Sequence, residues 1–202
     1  MLYNDYSKRP EADEKGVGRL KMLNAIGSGV DLSDGEVSDY YYLVADLLES
    51  KTVRQMQDYI HHGDTTCFQH CLNVSYYNYK VCRFFSLNAR AGARAGLLHD
   101  LFLYDWHTYK REKGERLHGF THAKTALKNV REHFYVSDLE SDMIEKHMFP
   151  LNITALPKYR ETLVIVLVDK YCGLIETVIP RMKKLSSLFV KLGARLGKAS
   201  AK

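Results

Sequence analysis

The chain carries no proline from residue 11 to residue 149; its four prolines stand at 10, 150, 157 and 180. Proline is the strongest helix breaker, because it lacks an N–H and its ring strikes the preceding turn. A stretch this free of it can run as helices joined by turns. Strict polar–apolar alternation, the mark of a half-buried strand, is hard to find anywhere along it. The pattern predicts an all-α chain.

Cap residues set the expected helix ends. A short helix is expected over 17–26 within a polar, glycine-bearing arm. Ser38 or Asp39 starts a helix to Leu48, and another runs from Thr52 to His61, closed by Gly63 as a left-handed C-terminal cap. Asp64 or Thr65 opens a long helix to Phe85, and Asn88 one to Leu103. A basic, aromatic loop fills 104–119. Thr121 caps a helix to Phe134, and Ser137 or Asp138 one to His147. Pro157 opens a last long helix to Val178, which Pro180 stops or kinks. A length of 202 residues suits one domain. The expected division is a polar arm over 1–35, a helical domain over 36–180 and a basic amphipathic tail over 181–202.

The formal charge is +5, but seven basic residues and no acidic one fall in 177–202, which leaves the first 176 residues at −2. The positive excess therefore gives the body no argument for binding nucleic acid. In the tail, Leu185, Leu188, Phe189, Leu192 and Leu196 fall at helical spacing. Such a helix suits docking on its own domain, or contact with an anionic surface or a partner. The longest apolar run, Leu163 to Val168, is six residues, against about 20 needed to span a bilayer. The N-terminus lacks the apolar core of a signal peptide, so the expected location is cytoplasmic. Cys67, Cys71, Cys82 and Cys172 form no Cys-x-x-Cys pair and read as reduced packing thiols. No phosphate-binding glycine loop or nucleophile motif stands out.

The chemistry lies in ionisable residues at apolar places. His70 shares a helical face with Val74, Tyr77, Val81 and Phe84. His99 and Asp100 sit inside the apolar run from Ala95 to Leu103. His122 shares its face with Ala126, Val130 and Phe134; His147 follows Met143 and Ile144; Asp169 follows the 163–168 run. One such histidine is more often a satisfied core residue, and one buried aspartate a cap or half an ion pair. Six such positions on five expected helices point instead to a shared site. A buried carboxylate must be paired, protonated or bound to metal. Imidazole and carboxylate suit iron, manganese, zinc or cobalt, and four plus two of them suffice for two ions.

The order His70, His99-Asp100, His122, His147, Asp169 resembles the HD superfamily of metal-dependent phosphohydrolases, over residues 60–178. The local contexts agree: Ala95-Gly-Leu-Leu-His-Asp100, His122-Ala-Lys-Thr-Ala126 and Val168-Asp169-Lys170. The resemblance implies an all-α HD-domain helical bundle, with His70, His99, Asp100 and Asp169 as its basic metal site. His122 and His147 look like the added ligands of dinuclear subgroups, among them the bacterial diadenosine tetraphosphate hydrolases. The stretches Leu98 to His107 and Leu117 to His122 look most like bacterial HD proteins without an assigned substrate.

The function this implies is hydrolysis of a phosphomonoester or phosphoanhydride, on a small nucleotide-like substrate, by metal-activated water. The cofactors implied are two divalent transition-metal ions, iron or manganese first, with zinc, cobalt, nickel or magnesium as alternatives. Asp100 would bridge them and activate the water, with His70, His99 and Asp169 on one ion and His122 and His147 on the other. Phe102 and Leu103 stand where many dinuclear relatives carry Gly-Lys or Ala-Lys, so a phosphate-contacting lysine is absent there. His118 rivals His122; His122 is preferred because it begins a helix and its 25-residue spacing to His147 fits the family better. Substrate contacts are expected from Asp105, Trp106, His107, Lys110, Arg111, His118 and Lys170, with Trp106 stacking on a base and the cations on phosphate. The alternative for the loop is a solvated face, since Glu112 and Glu115 alternate with its cations. Arg90 and Arg94 are expected on a helix surface. His61, His62, His107 and His133 read foremost as structural, His62 beside Gly63 at a helix C-terminus. Two other functions share the ligand set: a di-iron HD oxygenase, and a non-catalytic HD module that senses a metal or nucleotide.

Overall fold

A computed structural model describes residues 35–109 and 117–199. The helix expected over 17–26, and Lys110 and Arg111, lie outside the described residues. The helices are α1 (Gly35–Glu49), α2 (Lys51–Arg54), α3 (Cys67–Phe84), α4 (Ala89–Leu98), α5 (His118–His133), α6 (Asp138–Lys146) and α7 (Arg160–Ala199). Two short strands, β1 (Ile60–His62) and β2 (Thr65–Thr66), form an antiparallel hairpin. The chain is an all-α helical bundle to which this hairpin is appended.

Most ends follow from their caps. Thr66 accepts from the Gln69 N–H and opens α3, and Asn88 accepts from the Ala91 N–H and opens α4. Ser137 and Glu140 form a reciprocal capping box at α6. Four expectations fail. The helix expected to open at Thr121 starts three residues earlier, at His118, with Leu117 as its cap. The helix expected over Thr52–His61 is α2 followed by a single 3-10 turn, Gln55–Asp58, and then β1. Gly63 does adopt positive φ, 58°, but it turns the hairpin rather than closing a helix. The helix from Asn88 stops at Leu98 rather than Leu103. His99 Nδ1 takes the Gly96 carbonyl, and the chain turns through Leu103 at φ 57°. The last helix passes through Pro180 to Ala199. Pro180 removes one donor from a long ladder, and the turns on both sides keep theirs. The basic tail thus continues α7, and its side chains from residue 183 on lie outside the described ones.

The most extensive packing is between α3 and α4, and α7 lies on α3. The backbones of α3 and α4 touch: a Cβ on Gly96 would stand 2.6 Å from the Ser75 Cα. The Ser75 hydroxyl donates to the Ala93 carbonyl at 2.6 Å and accepts from the Tyr40 hydroxyl at 2.8 Å. The core continues through Leu47, Leu97, Leu98, Leu101, Met143, Ile144 and Ile165, all fully buried. Truncating one of these to Ala costs about 2–5 kcal/mol. Arg94, expected on a surface, is buried and pairs with both Asp46 carboxylate oxygens, at 2.6 and 2.9 Å. Its Nε stands 3.6 Å from Glu140. It ties α1, α4 and α6 together, and its charge is buried only because it is paired. The four cysteines are free and buried.

Candidate metal centre

The α3–α4 contact places His70 and His99 side by side, with ring centroids 5.3 Å apart. Asp100 follows His99 as α4 ends, Asp169 comes from α7, His122 from the first turns of α5, and His147 caps the C-terminus of α6. The structure brings these six side chains into one cluster, and every one except Asp169 is nearly inaccessible.

Asp100 lies at the middle and divides the cluster. Its Oδ2 is 3.4 Å from His99 Nε2, 3.9 Å from His70 Nε2 and 3.0 Å from His61 Nε2. Its Oδ1 is 3.3 Å from His122 Nε2 and 3.5 Å from His147 Nε2. Asp169 Oδ1 is 3.1 Å from His70 Nε2 and 3.5 Å from His99 Nε2. At a ligand bond of about 2.1 Å, two donors on one ion lie roughly 3.0 Å apart at right angles and roughly 3.4 Å apart at a tetrahedral angle. Most of the observed spacings, 3.0–3.5 Å, lie in or within about 0.1 Å of that range, and His70 to Asp100 Oδ2, at 3.9 Å, is wider.

The rings are held with their Nε2 atoms inward. His99, His122 and His147 engage the carbonyls of Gly96, His118 and Ile144 through Nδ1, at 2.8, 2.9 and 2.8 Å. A carbonyl only accepts, so Nδ1 carries a proton, and the lone pair that the ring keeps when neutral is at Nε2. Glu176 holds His70 Nδ1 in the same way at 2.8 Å, and Asn73 donates to the other Glu176 oxygen at 2.8 Å. A carboxylate behind a histidine is the arrangement that orients metal-binding imidazoles. Two consequences suit a cation. His122 Nε2 and His147 Nε2 face each other at 2.9 Å, where two lone pairs repel unless positive charge lies between them. His99 Nε2 and Asp100 Oδ1 are buried and lack hydrogen-bond partners among the described residues. The triplets His70–His99–Asp169 and His99–Asp100–His147 each have donor atoms close enough to hold one ion.

The electrostatics divide along the same line. Burial opposes charge on His70, but hydrogen bonds to Asp169 and Glu176 outweigh it and hold its pKa well above 6.5. Burial likewise opposes charge on His99, and the Asp100 carboxylate overrides it. Burial raises the pKa of Asp100, but the neighbouring His99 and His61 hold it well below the usual carboxylate range. By contrast, burial and the neighbouring His99 push His147 down to about 3. Burial pushes His118 and His62 down to about 4.

A cavity of about 670 Å³ opens over the cluster, reached by Asp100, His122, His147 and Asp169 from below and walled by Tyr104, Trp106, Tyr109, Leu117 and Leu174. Lys170 stands on its wall and donates to the His147 carbonyl at 3.1 Å. His118 lies against His122, with ring centroids 4.6 Å apart, and is stacked on Trp106 at 5.3 Å. Its Nδ1 takes the Tyr104 hydroxyl at 2.7 Å. Of the expected substrate residues, Trp106, His118 and Lys170 therefore line the cavity. Asp105 and His107 do not: Asp105 accepts from the backbone N–H of His107, closing a local turn at the surface. A sequence loop shows which charges are nearby but not which way a turn points them.

Sequence reasoning passed over three residues here. Glu176 lies seven residues after Asp169 on α7, the same helical face two turns on, and that spacing was its signal. His61 and His62 come from the hairpin, and both face the cluster: their rings lie 4.8 and 4.9 Å from His70. His62 thus sits in a strand rather than at a helix C-terminus. The family model described as HD domain matches residues 67–174, more than half of the chain. No curated protein and no solved structure matches it.

Proposed function

Since the chain belongs to the HD domain family, whose members are metal-dependent phosphohydrolases in general, we propose that it hydrolyses a phosphomonoester or phosphoanhydride of nucleotide-like character at a centre for two divalent ions. The observation that carries this is the division of Asp100, one oxygen toward His70 and His99 and the other toward His122 and His147. A carboxylate placed so would serve two ions, one held on each of its sides. In this reading His70, His99 and Asp169 hold one ion, and His122 and His147 the other. Iron or manganese best suits this mixture of imidazole and carboxylate. When bound, the ions supply Lewis acidity, which lowers the pKa of a water and offsets charge on phosphoryl oxygens.

The chain's own residues do the rest. The carbonyls on Nδ1 of His99, His122 and His147, and Glu176 on His70, keep the donors fixed without reorganisation. Lys170, on the cavity wall, receives the phosphoryl group. Trp106 and Tyr104 offer flat faces to a base.

The test is phosphate release by the purified full chain, loaded with manganese, iron or magnesium, over mononucleotides, dinucleoside polyphosphates and cyclic dinucleotides. Activity that Asp100→Ala abolishes supports the reading. Oxygen uptake without phosphate release replaces it with oxidation at a di-iron centre. Absence of bound metal, with Asp100→Ala changing nothing, removes it.

A further inference from the structure

Adjacent strand residues normally point to opposite faces of a sheet. His61 and His62 break that rule, with ring centroids 4.1 Å apart and both beside His70. The pairing explains how. Ile60 faces Thr66 and His62 faces Thr65, so two steps along β1 match one along β2 and His61 is the extra residue. A bulge of this kind re-aims a side chain. Gly173 of α7 makes the room: a Cβ there would stand 3.1 Å from His62 Nε2. Gly173 lies between Asp169 and Glu176 on the helix that supplies both carboxylates.

We propose that this bulged hairpin supplies a seventh donor to the metal centre, His61, to the ion on the His70, His99 and Asp100 Oδ2 side. The inference rests on the two-ion reading above. His61 is buried, and its Nε2 stands 3.0 Å from Asp100 Oδ2, slightly under the 3.1–3.9 Å between the other imidazoles and carboxylates of the cluster. Among the described residues nothing engages its Nδ1, so Nε2 is the ring's one partnered nitrogen there. His61, His62 and His70 also have donor atoms close enough to hold an ion among themselves. His70, however, has one nitrogen to give, because Glu176 holds the other. A separate ion there would compete for the His70 Nε2 lone pair with the ion that His99 and Asp169 would share. His61 is therefore an added donor to an existing ion rather than the base of a third.

The experiment loads the full chain with cobalt(II) and records visible absorption and bound metal after dialysis, for wild type, His61→Ala and His61→Gln. Glutamine keeps an N–H donor at the same reach toward Asp100 but lacks an imidazole nitrogen. Both variants should bind cobalt at least about tenfold more weakly and change the ligand-field spectrum. If His61→Gln retains the wild-type affinity and spectrum, His61 only donates a hydrogen bond to Asp100 and the proposal is overturned. His61→Gln also decides the matter should His61→Ala fail to fold. Cobalt bound by wild type and lost in Asp100→Ala, with both His61 variants unchanged, sinks this inference and spares the two-ion reading. Wild type that takes up no cobalt sinks both.

Discussion

The two sides of Asp100 are built differently. On the Oδ2 side, His70 and His99 stand among the carboxylates of Asp100, Asp169 and Glu176, deep in the α3–α4–α7 contact. On the Oδ1 side, His122 and His147 are imidazoles fixed by backbone carbonyls, and they line the cavity. One side concentrates negative charge and the other carries little of its own, while the cavity reaches both, through Asp169 on the first and through His122 and His147 on the second. The contrast teaches that the two faces of one carboxylate need not be built alike. The difference in charge predicts that a cation on the first side is held more tightly than one on the second.

The sharpest break would come at the bridge. Asp100→Ala should lower phosphate release roughly a thousand-fold, the equivalent of about 4 kcal/mol of barrier, and remove metal from both sides. A variant that keeps one full equivalent of metal would show that the sides are independent. Next, calorimetric titration with manganese should resolve a tight and a weak class. His147→Ala should abolish the weak class alone, whereas Asp169→Asn should weaken the tight class by about a hundredfold. Equal losses in both variants would erase the asymmetry. Glu176→Gln should then cost the tight class about tenfold and leave the weak class alone, because it acts through His70. Lys170→Ala should raise KM by several-fold with metal content unchanged, a loss of ground-state binding. The smallest effect concerns support for the α6 end. Asp142 accepts from Thr162 and the Lys158 N–H and pairs with Lys146, joining α6 to α7. Burial would raise its pKa, but these partners hold it below the usual value. A depressed folded pKa gives stability that is present above the unfolded pKa of about 3.9 and is lost as pH falls through the folded one. In acid denaturation, Asp142→Asn should therefore be less stable than wild type near neutral pH and show a shallower fall below pH 4.

The helical part of this arrangement is legible in the sequence because helices make geometry periodic. His70 with Val74 and Val81, or His122 with Ala126 and Val130, declares an inward face by spacing alone. Glu176 is open to the same logic through Asp169. The hairpin is not. β1 is three residues long, too short for a period, and its bulge defeats the alternation that would have separated His61 from His62. Arg94 escapes for a related reason: its partners, Asp46 and Glu140, come from helices whose packing no local pattern encodes. Asp105 and His107 show the opposite failure, because charge near the site is not charge in it.

His70 and Asp169 meet across 99 residues of chain, and His70 and Glu176 across 106. An unfolded chain holds these groups far apart, so the centre has no counterpart there. Any ion that the centre binds must then favour the native state by mass action, by about 2.7 kcal/mol when its free concentration is a hundred times Kd. Stripping such an ion with a chelator would lower the stability of the native state by the same amount.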